Sequence, residues 1–361
     1  MPEAAAQKGP ATIPVIDPEV TTVTPVGGVL PAVPLPDDRE DREGAGSINL
    51  KRRFFNFRTL FSFLIAALTI FTLVKAWGVD FQQTLDQMAQ VNIPLYACAF
   101  AVYALTFPVR GKRWQRLLNN IGLDAPVPIL AQTILLSWFV NCVAPLKLGD
   151  AYRGYLMRKN EKMPLTSTLG TIFAERIIDS GALFVILMVG LALSANIMAP
   201  GHAGGIMVVA GLFMGVLLVI LALMHWQGPR VMRLFPKRFQ DLYSRFAGGA
   251  FASFQHLPFV ALLTFLAWAC EIGRLYLVTR ALGVALPFPG VLVVLSGASL
   301  LLTVPTPGGI GAVEVGLAGL LTLFGFSHST ALAVALMDRV ISYWGLIATG
   351  LPTYLFSKRA K

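Results

Sequence analysis

Long apolar segments separated by short polar or basic loops make up most of the chain after residue 56. A helix of about 20 apolar residues crosses the hydrocarbon core of a bilayer. The pattern therefore predicts an all-α polytopic membrane protein. The apolar segments are 57–78, 93–109, 126–146, 167–197, 204–226, 257–281, 288–325 and 329–356.

The charges of the loops predict how these segments are oriented, because cytoplasmic loops are enriched in Lys and Arg. Basic residues mark 51–58, 110–116, 228–256 and the C-terminal 358–361 as cytoplasmic. Loop 79–92 contains acidic residues and no base, so we place it outside. The protein is expected in the inner cell membrane with both termini in the cytoplasm.

Two apolar segments do not fit a single crossing. Segment 126–146 has basic residues on both flanks, which predicts a re-entrant hairpin that enters from inside and bends near 137–141. Segment 288–325 is too long for one span, is interrupted by Pro and Gly at 305–311, and has no base on its flanks. It predicts a second hairpin that enters from outside. The count is about six spanning helices plus two re-entrant hairpins, and eight full spans is the alternative.

The two halves of this membrane region carry the same motifs at an offset of 161 to 163 residues. Repeat one covers about 57–197 and repeat two about 204–357. Since the hairpins are predicted to enter from opposite faces, the repeats are inverted, an arrangement typical of transporters with a central site. The matched positions are Gly122 and Gly283, Pro145 and Pro307, Gly149 and Gly311, Glu175 and Asp338, and Arg176 and Arg339.

Composition supports the membrane class and divides the chain in two. The sequence is 55% hydrophobic and 13% charged, which excludes an ordinary soluble domain, and its net charge is +10. Residues 1–50 contain eight acidic and three basic residues and predict a disordered acidic cytoplasmic tail before the transmembrane domain 51–361. Because the bases lie in short loops, no nucleic acid partner is expected. No Cys or His spacing suggests a metal or other cofactor.

Charged residues inside or beside the apolar segments are the candidates for function, since a charge at the bilayer centre is costly. Arginine binds phosphate through its planar fork, and a helix that begins at a break offers free N–H groups to an anion. Glu175 and Asp179 are predicted to share a helix face, with Arg176 turned aside. Interior salt bridges and plain kinks remain the alternative interpretation. The predicted substrate-binding residues are Lys147, Asp150, Arg153, Glu175, Arg176, Asp179, Gly308, Gly309, Gly311, Glu314, Asp338 and Arg339.

Several of these motifs resemble the lysylphosphatidylglycerol synthase transmembrane-region family over roughly residues 55–357. The resemblance implies the flippase half of multiple-peptide-resistance proteins, without the soluble aminoacyl transferase domain, and therefore a protein that is not an enzyme. Stand-alone members are similar to proteins tied to hopanoid or other lipid metabolism. The motifs that carry the resemblance are Arg113-Trp114, those at 141–153, Glu175-Arg176 with Asp179, those at 305–314, Asp338-Arg339 and Tyr343-Trp344.

The leading hypothesis is a lipid flippase or transporter that moves a phospholipid or related polar lipid between leaflets. Its partner is the lipid headgroup, and a homo-oligomer or a lipid-biosynthesis partner is also open. The alternative is a membrane-embedded lipid transferase or an accessory subunit of hopanoid or polyprenyl lipid metabolism. A pure scaffold is a third possibility.

Overall fold

The computed structural model describes residues 78–144, 148–301, 307–357 and 359, and within these ranges the ordered elements are all helical. The predicted acidic tail 1–50, the predicted span 57–78 and Lys147 lie outside the described residues. The helices are α1 (Phe81–Ala89), α2 (Ile93–Ala104), α3 (Thr106–Asn119), α4 (Val127–Val143), α5 (Leu148–Glu161), α6 (Leu165–Ser194), α7 (His202–Trp226), α8 (Gly228–Met232), α9 (Lys237–Ala252), α10 (Leu257–Ala281), α11 (Phe288–Leu301), α12 (Ala312–Thr322), α13 (His328–Arg339) and α14 (Gly345–Phe356).

Five helical stretches in the described ranges are long and apolar enough to cross a membrane, which confirms the all-α polytopic class. They coincide with the five predicted spans that fall within those ranges. Three shorter apolar helices, α4, α11 and α12, lie where the sequence predicted hairpins instead of spans. The spanning stretches are Ile93–Asn119, Leu165–Ser194, His202–Trp226, Leu257–Ala281 and His328–Phe356.

The first hairpin is formed differently from the sequence prediction. The predicted bend near 137–141 is wrong, because α4 continues as a helix to Val143. The break follows α4, and the second arm is α5, which the charge pattern had placed in a cytoplasmic loop. Asn141 explains the difference, since its side-chain oxygen accepts a hydrogen bond of 2.8 Å from the Gly149 N–H at the start of α5. A residue of the last turn of α4 thus caps the next helix.

The second hairpin is interrupted where the sequence predicted. A 3₁₀ turn, Pro307–Gly309, precedes α12, and Gly311 has a φ of 86°, a conformation that glycine adopts without strain. The Glu314 carboxylate accepts a hydrogen bond of 2.8 Å from the Gly311 N–H. The glycines at 308–311 therefore let the chain turn sharply, and Glu314 stabilises the free N-terminus of α12.

The order of helices recurs between the two halves of the chain. A long helix, two shorter helices and a second long stretch occur as α3 to α6 and again as α10 to α14. Each half packs on the other in the same way: α4 contacts α14 while α11 contacts α6, and α1 contacts α13 while α9 contacts α6. Helices α2 and α10 pack together between the halves. Entry of the two hairpins from opposite membrane faces stays a prediction.

Helix α9 lies unusually close to α6. A Cβ on Gly170 of α6 would lie 2.2 Å from the Phe246 carbonyl oxygen, and one on Gly249 of α9 would lie 2.3 Å from that of Ser167. By contrast, a Cβ on Gly211 or Gly215 of α7 would meet no described atom within 4 Å. The first pair of glycines therefore sets a helix–helix distance, and the second pair does not within the described chain.

The close approach predicts that Gly170→Ala destabilises the protein by about 1–3 kcal/mol, because the methyl group must push two backbones apart. Thermal unfolding of the purified protein in detergent measures this effect. Gly215→Ala is the matched control on a spanning helix and should leave the unfolding temperature unchanged or slightly raised. Equal unfolding temperatures for the two variants would contradict the proposed contact.

Candidate functional site

Ten charged side chains are buried among the described residues, and they balance in charge, with five arginines and five carboxylates. Burying an unpaired ion costs several kcal/mol, so this balance is what an apolar bundle requires. The arginines are Arg110, Arg113, Arg153, Arg274 and Arg339, and the carboxylates are Glu175, Asp179, Glu271, Glu314 and Asp338.

The first group of ion pairs is centred on Arg113 of α3. Its guanidinium donates to Glu175 at 2.8 Å and to Asp179 at 2.6 Å, so the two carboxylates lie on one face of α6 as predicted. Arg153 of α5 pairs with the second oxygen of Glu175 at 2.8 Å. Arg153 also lies 3.4 Å above the Trp114 ring. Both arginines are therefore fully committed to partners inside the protein.

The second group repeats this arrangement. Arg274 of α10 stands 161 residues after Arg113 and pairs with Asp338, which stands 163 residues after Glu175. Arg274 also contacts Glu271 at 3.3 Å, and its guanidinium lies 5.2 Å from the Tyr103 ring centre. The sequence repeat thus corresponds to a repeated ion pair between a central helix and a later long helix.

A pair at the middle joins the two groups. Arg110 contacts Asp179 at 3.4 Å and Glu271 at 3.8 Å, and Glu271 is its own counterpart in the other repeat. The Arg110 guanidinium lies between the rings of Trp138 and Trp268, at 4.9 and 5.2 Å from their centres. Positive and negative groups therefore alternate in one ion chain: Arg153, Glu175, Arg113, Asp179, Arg110, Glu271, Arg274 and Asp338.

Each hairpin carries a further ion pair next to its break, which we call the tip pair. Arg176 of α6 binds Asp150 through two hydrogen bonds of 3.1 and 2.6 Å. Arg339 of α13 binds Glu314 at 2.9 Å and the Gly308 carbonyl oxygen at 2.6 Å. Asp150 and Glu314 are each the third residue of the helix that follows the break. The acid-Arg motif found in the sequence thus holds both hairpins.

The two tip pairs differ in exposure. The side chains of Arg176 and Asp150 are 39% and 24% exposed, whereas those of Arg339 and Glu314 are 7% and 8% exposed. The Tyr343 ring covers Arg339 at 4.9 Å, on a π-helical turn that follows α13. The position that corresponds to Tyr343 in repeat one is Ser180, whose hydroxyl bonds to the Arg176 carbonyl. A small residue in place of an aromatic ring therefore leaves Arg176 accessible.

The ends of the two hairpins lie next to each other. The Tyr343 hydroxyl donates a hydrogen bond of 3.0 Å to the carbonyl oxygen of Cys142, in the last turn of α4. A Cβ on Gly308 would lie 3.3 Å from the Cys142 Cα. The break of the second hairpin therefore contacts the first hairpin near its own break.

The structure brings most of the predicted residues into these two related groups. Gly308 and Gly311 take part through backbone atoms, and Gly309 lies in the same turn; Lys147 lies outside the described residues. Sequence reasoning assigned Arg110 and Arg113 to a basic loop, which is wrong, because α3 continues to Asn119 and buries both side chains. It also left Glu271 and Arg274 off the site. The signal was present, since a pair spaced by three residues recurs at an offset of 161.

The bridging role of Arg113 predicts that Arg113→Met destabilises the protein by about 3–5 kcal/mol, because two carboxylates lose their shared partner in the interior. Arg113→Lys should recover only part of the loss, since an ammonium cannot reproduce the planar fork. Thermal unfolding in detergent measures both. Arg359→Met, at the exposed pair with Glu161, is the control and should cost less than about 1 kcal/mol. A tolerated Arg113→Met would contradict this role.

Comparison with known proteins extends the structural result to a family. The profile described as "Lysylphosphatidylglycerol synthase TM region" matches residues 59–350. A UPF0104 membrane protein of Methanothermobacter thermautotrophicus is 26% identical, over 82% of this chain and 92% of the relative. Another of Methanocaldococcus jannaschii is 29% identical, over 61% of this chain and 95% of the relative.

One relative corrects the expectation that the chain is not an enzyme. Glycosyltransferase AglD of Haloferax volcanii is 26% identical, over 81% of this chain and 53% of the relative. A protein that contains this membrane region is therefore named as an enzyme, and lack of the aminoacyl transferase domain does not decide the question. What the matches share with this chain is the membrane region itself. Since the family profile covers most of the sequence, the chain belongs to the lysylphosphatidylglycerol synthase TM region family.

Proposed function

We propose that this protein moves a phospholipid or related polar lipid between the leaflets of the inner cell membrane. The observation that carries the proposal is the pair of broken hairpins, each held by an arginine on a long helix and an acid at the start of the next helix. Two related hairpins that meet at their ends are suited to exchange one polar site between the two membrane faces. The ion chain keeps the interface between the repeats polar within an apolar bundle.

The headgroup is proposed to bind first at the Arg176–Asp150 tip pair. Arg153 and Arg339 already bind carboxylates in the interior, and their side chains are 1% and 7% exposed. Arg176 offers accessible donors beside a chain break, and a phosphate can take both of them because its oxygens match the guanidinium fork. The carboxylates of the ion chain then orient the arginines, as the sequence analysis expected for Glu175, Asp179 and Asp338.

A second candidate, a membrane-embedded lipid transferase or an accessory subunit of lipid metabolism, is favoured by the name of the glycosyltransferase relative. In that case the same polar interface would hold a lipid acceptor for a reaction. The two candidates differ in what they change: transport alters the leaflet of an intact lipid, whereas a transferase alters its mass. Mass spectrometry of the lipids recovered after each transport reaction separates them.

The first prediction concerns Arg176→Ala in vesicles that contain the purified protein and a fluorescent anionic phospholipid. Loss of a charge-assisted contact worth about 1.5–3 kcal/mol should slow lipid exchange between leaflets by about tenfold or more. The exchange rate is measured by reducing the outer-leaflet fluorophore with dithionite. Exchange at the wild-type rate in Arg176→Ala would overturn the proposal.

Arg359→Ala is the matched control for this experiment. Arg359 pairs with Glu161 at 2.6 Å with 44% of its side chain exposed, which closely resembles the Arg176–Asp150 pair. It lies outside the hairpin breaks, so its loss should leave lipid exchange unchanged. Equal slowing in both variants would show an effect of surface charge and not of a binding site.

We also propose that both termini are cytoplasmic. Helices α8 and α9 with their basic residues would then lie on the cytoplasmic side, and α1 outside. The prediction uses Asp86→Cys and Arg233→Cys, at two exposed positions, in a background without the three native cysteines. In intact cells an impermeant maleimide should label the first variant and reach the second only after permeabilisation. The reverse pattern would contradict the proposed orientation.

A further inference from the structure

We propose that Glu271 is the proton-binding site of this protein and takes up one proton when an anionic lipid headgroup enters between the repeats. The inference rests on the proposed function and adds a coupling ion to it. It concerns the middle of the ion chain, where the contact between the repeats is longest.

The charge balance of the interior creates the need for a proton. The ten buried charged side chains comprise five arginines and five carboxylates, and the tip pair of Arg176 and Asp150 is also neutral. One anionic headgroup among them would leave a net negative charge at low dielectric, which is costly. Uptake of one proton by a carboxylate restores neutrality.

Glu271 is the carboxylate that can lose its charge at the lowest cost. Its contacts with Arg110 and Arg274 are 3.8 and 3.3 Å, whereas Glu175 and Asp179 each have an arginine within 2.8 Å. Protonation of Glu271 would leave Arg110 bound to Asp179 and Arg274 bound to Asp338. The same step at Glu175 would weaken Arg113 and Arg153 together.

The surroundings of Glu271 support this assignment. Arg110 faces it from α3 and Arg274 from its own helix, while Tyr103 approaches from α2. Asp179 of α6 and Asp338 of α13 lie beyond the two arginines, and the packed helix α11 carries no titratable side chain. The neighbouring Cys270 completes the set. Both arginines thus keep a carboxylate, and both lie against aromatic rings.

The same proton would also loosen the contact between the repeats. Within the described interior, Arg110–Glu271 is the ion pair that joins a helix of repeat one to a helix of repeat two. A headgroup phosphate that takes the Arg110 donors would replace Glu271 as partner, and the protonated Glu271 would no longer hold the halves together. Binding of lipid and release of the repeats would therefore occur in one step.

The experiment measures binding of phosphatidylglycerol to the purified full chain in detergent, together with net proton uptake in a weakly buffered solution. Wild-type protein should take up about one proton per lipid, and its affinity should rise up to about tenfold per pH unit as the pH falls. Glu271→Gln imitates the protonated side chain, so it should bind the lipid tightly without proton uptake and without this pH dependence. Inorganic phosphate and phosphatidylcholine are run in parallel.

Two matched variants identify the site. Glu161→Gln, at the exposed pair with Arg359, should behave as wild type. Asp150→Asn tests the acid that loses its arginine if the headgroup binds only at the tip pair. Proton uptake that persists in Glu271→Gln, or that disappears in Asp150→Asn alone, would overturn the inference.

The remaining outcomes separate the inference from the function beneath it. Lipid binding by wild-type protein without proton uptake would overturn the role of Glu271 and leave lipid transport standing. Proton uptake with inorganic phosphate but not with the lipid would overturn the lipid-linked role. Absence of both lipid binding and lipid exchange at every pH would overturn the proposed function itself.

Discussion

Pairing of buried charge is the constraint on which the rest of this structure depends. An arginine inside an apolar bundle is tolerable only when a carboxylate meets it in good geometry, because the cost of removing both ions from water is large. The chain satisfies this requirement with contacts between helices that are distant in sequence, such as Arg113 with Asp179 and Arg274 with Asp338. These pairs therefore fix which helices are neighbours. Apolar packing alone would constrain this less, since one apolar helix face resembles another.

The same constraint explains which parts of the molecule could be predicted from the sequence. Spans follow from length and apolarity, so 257–281 was predicted to the residue. The bend of the first hairpin was misplaced because no Gly or Pro marks 137–141, and the real signal was the side chain of Asn141. Arg110 and Arg113 were misassigned because the positive-inside rule counts charges and does not see their partners. Only tertiary contacts with Glu175, Asp179 and Glu271 reveal that these arginines are interior.

The recurrence of motifs gave more reliable information than any single motif. Glu175-Arg176 and Asp338-Arg339 each divide their work in the same way, with the acid bound to a central arginine and the arginine bound to a hairpin. A lone acid-Arg pair in a membrane helix would be compatible with simple packing. Two pairs with the same division of contacts indicate that the hairpins and the central helices form one repeated mechanical unit. This is why the site could be outlined from sequence even though its central members were missed.

The repeats are related but not equal, and the difference bears on mechanism. Tyr343 closes the second tip pair and bonds to the end of α4, whereas Ser180 leaves the first tip pair open. A site that alternates between two membrane faces needs one side accessible while the other is closed. The structure has this asymmetry in its tip pairs, and the ion chain connects the open pair, through Glu175 beside Arg176, to the centre. An anion that disturbs Arg176 is therefore only a few ion pairs away from the contact between Arg110 and Glu271, and electrostatic coupling along that chain gives the open side a route to the interface between the repeats.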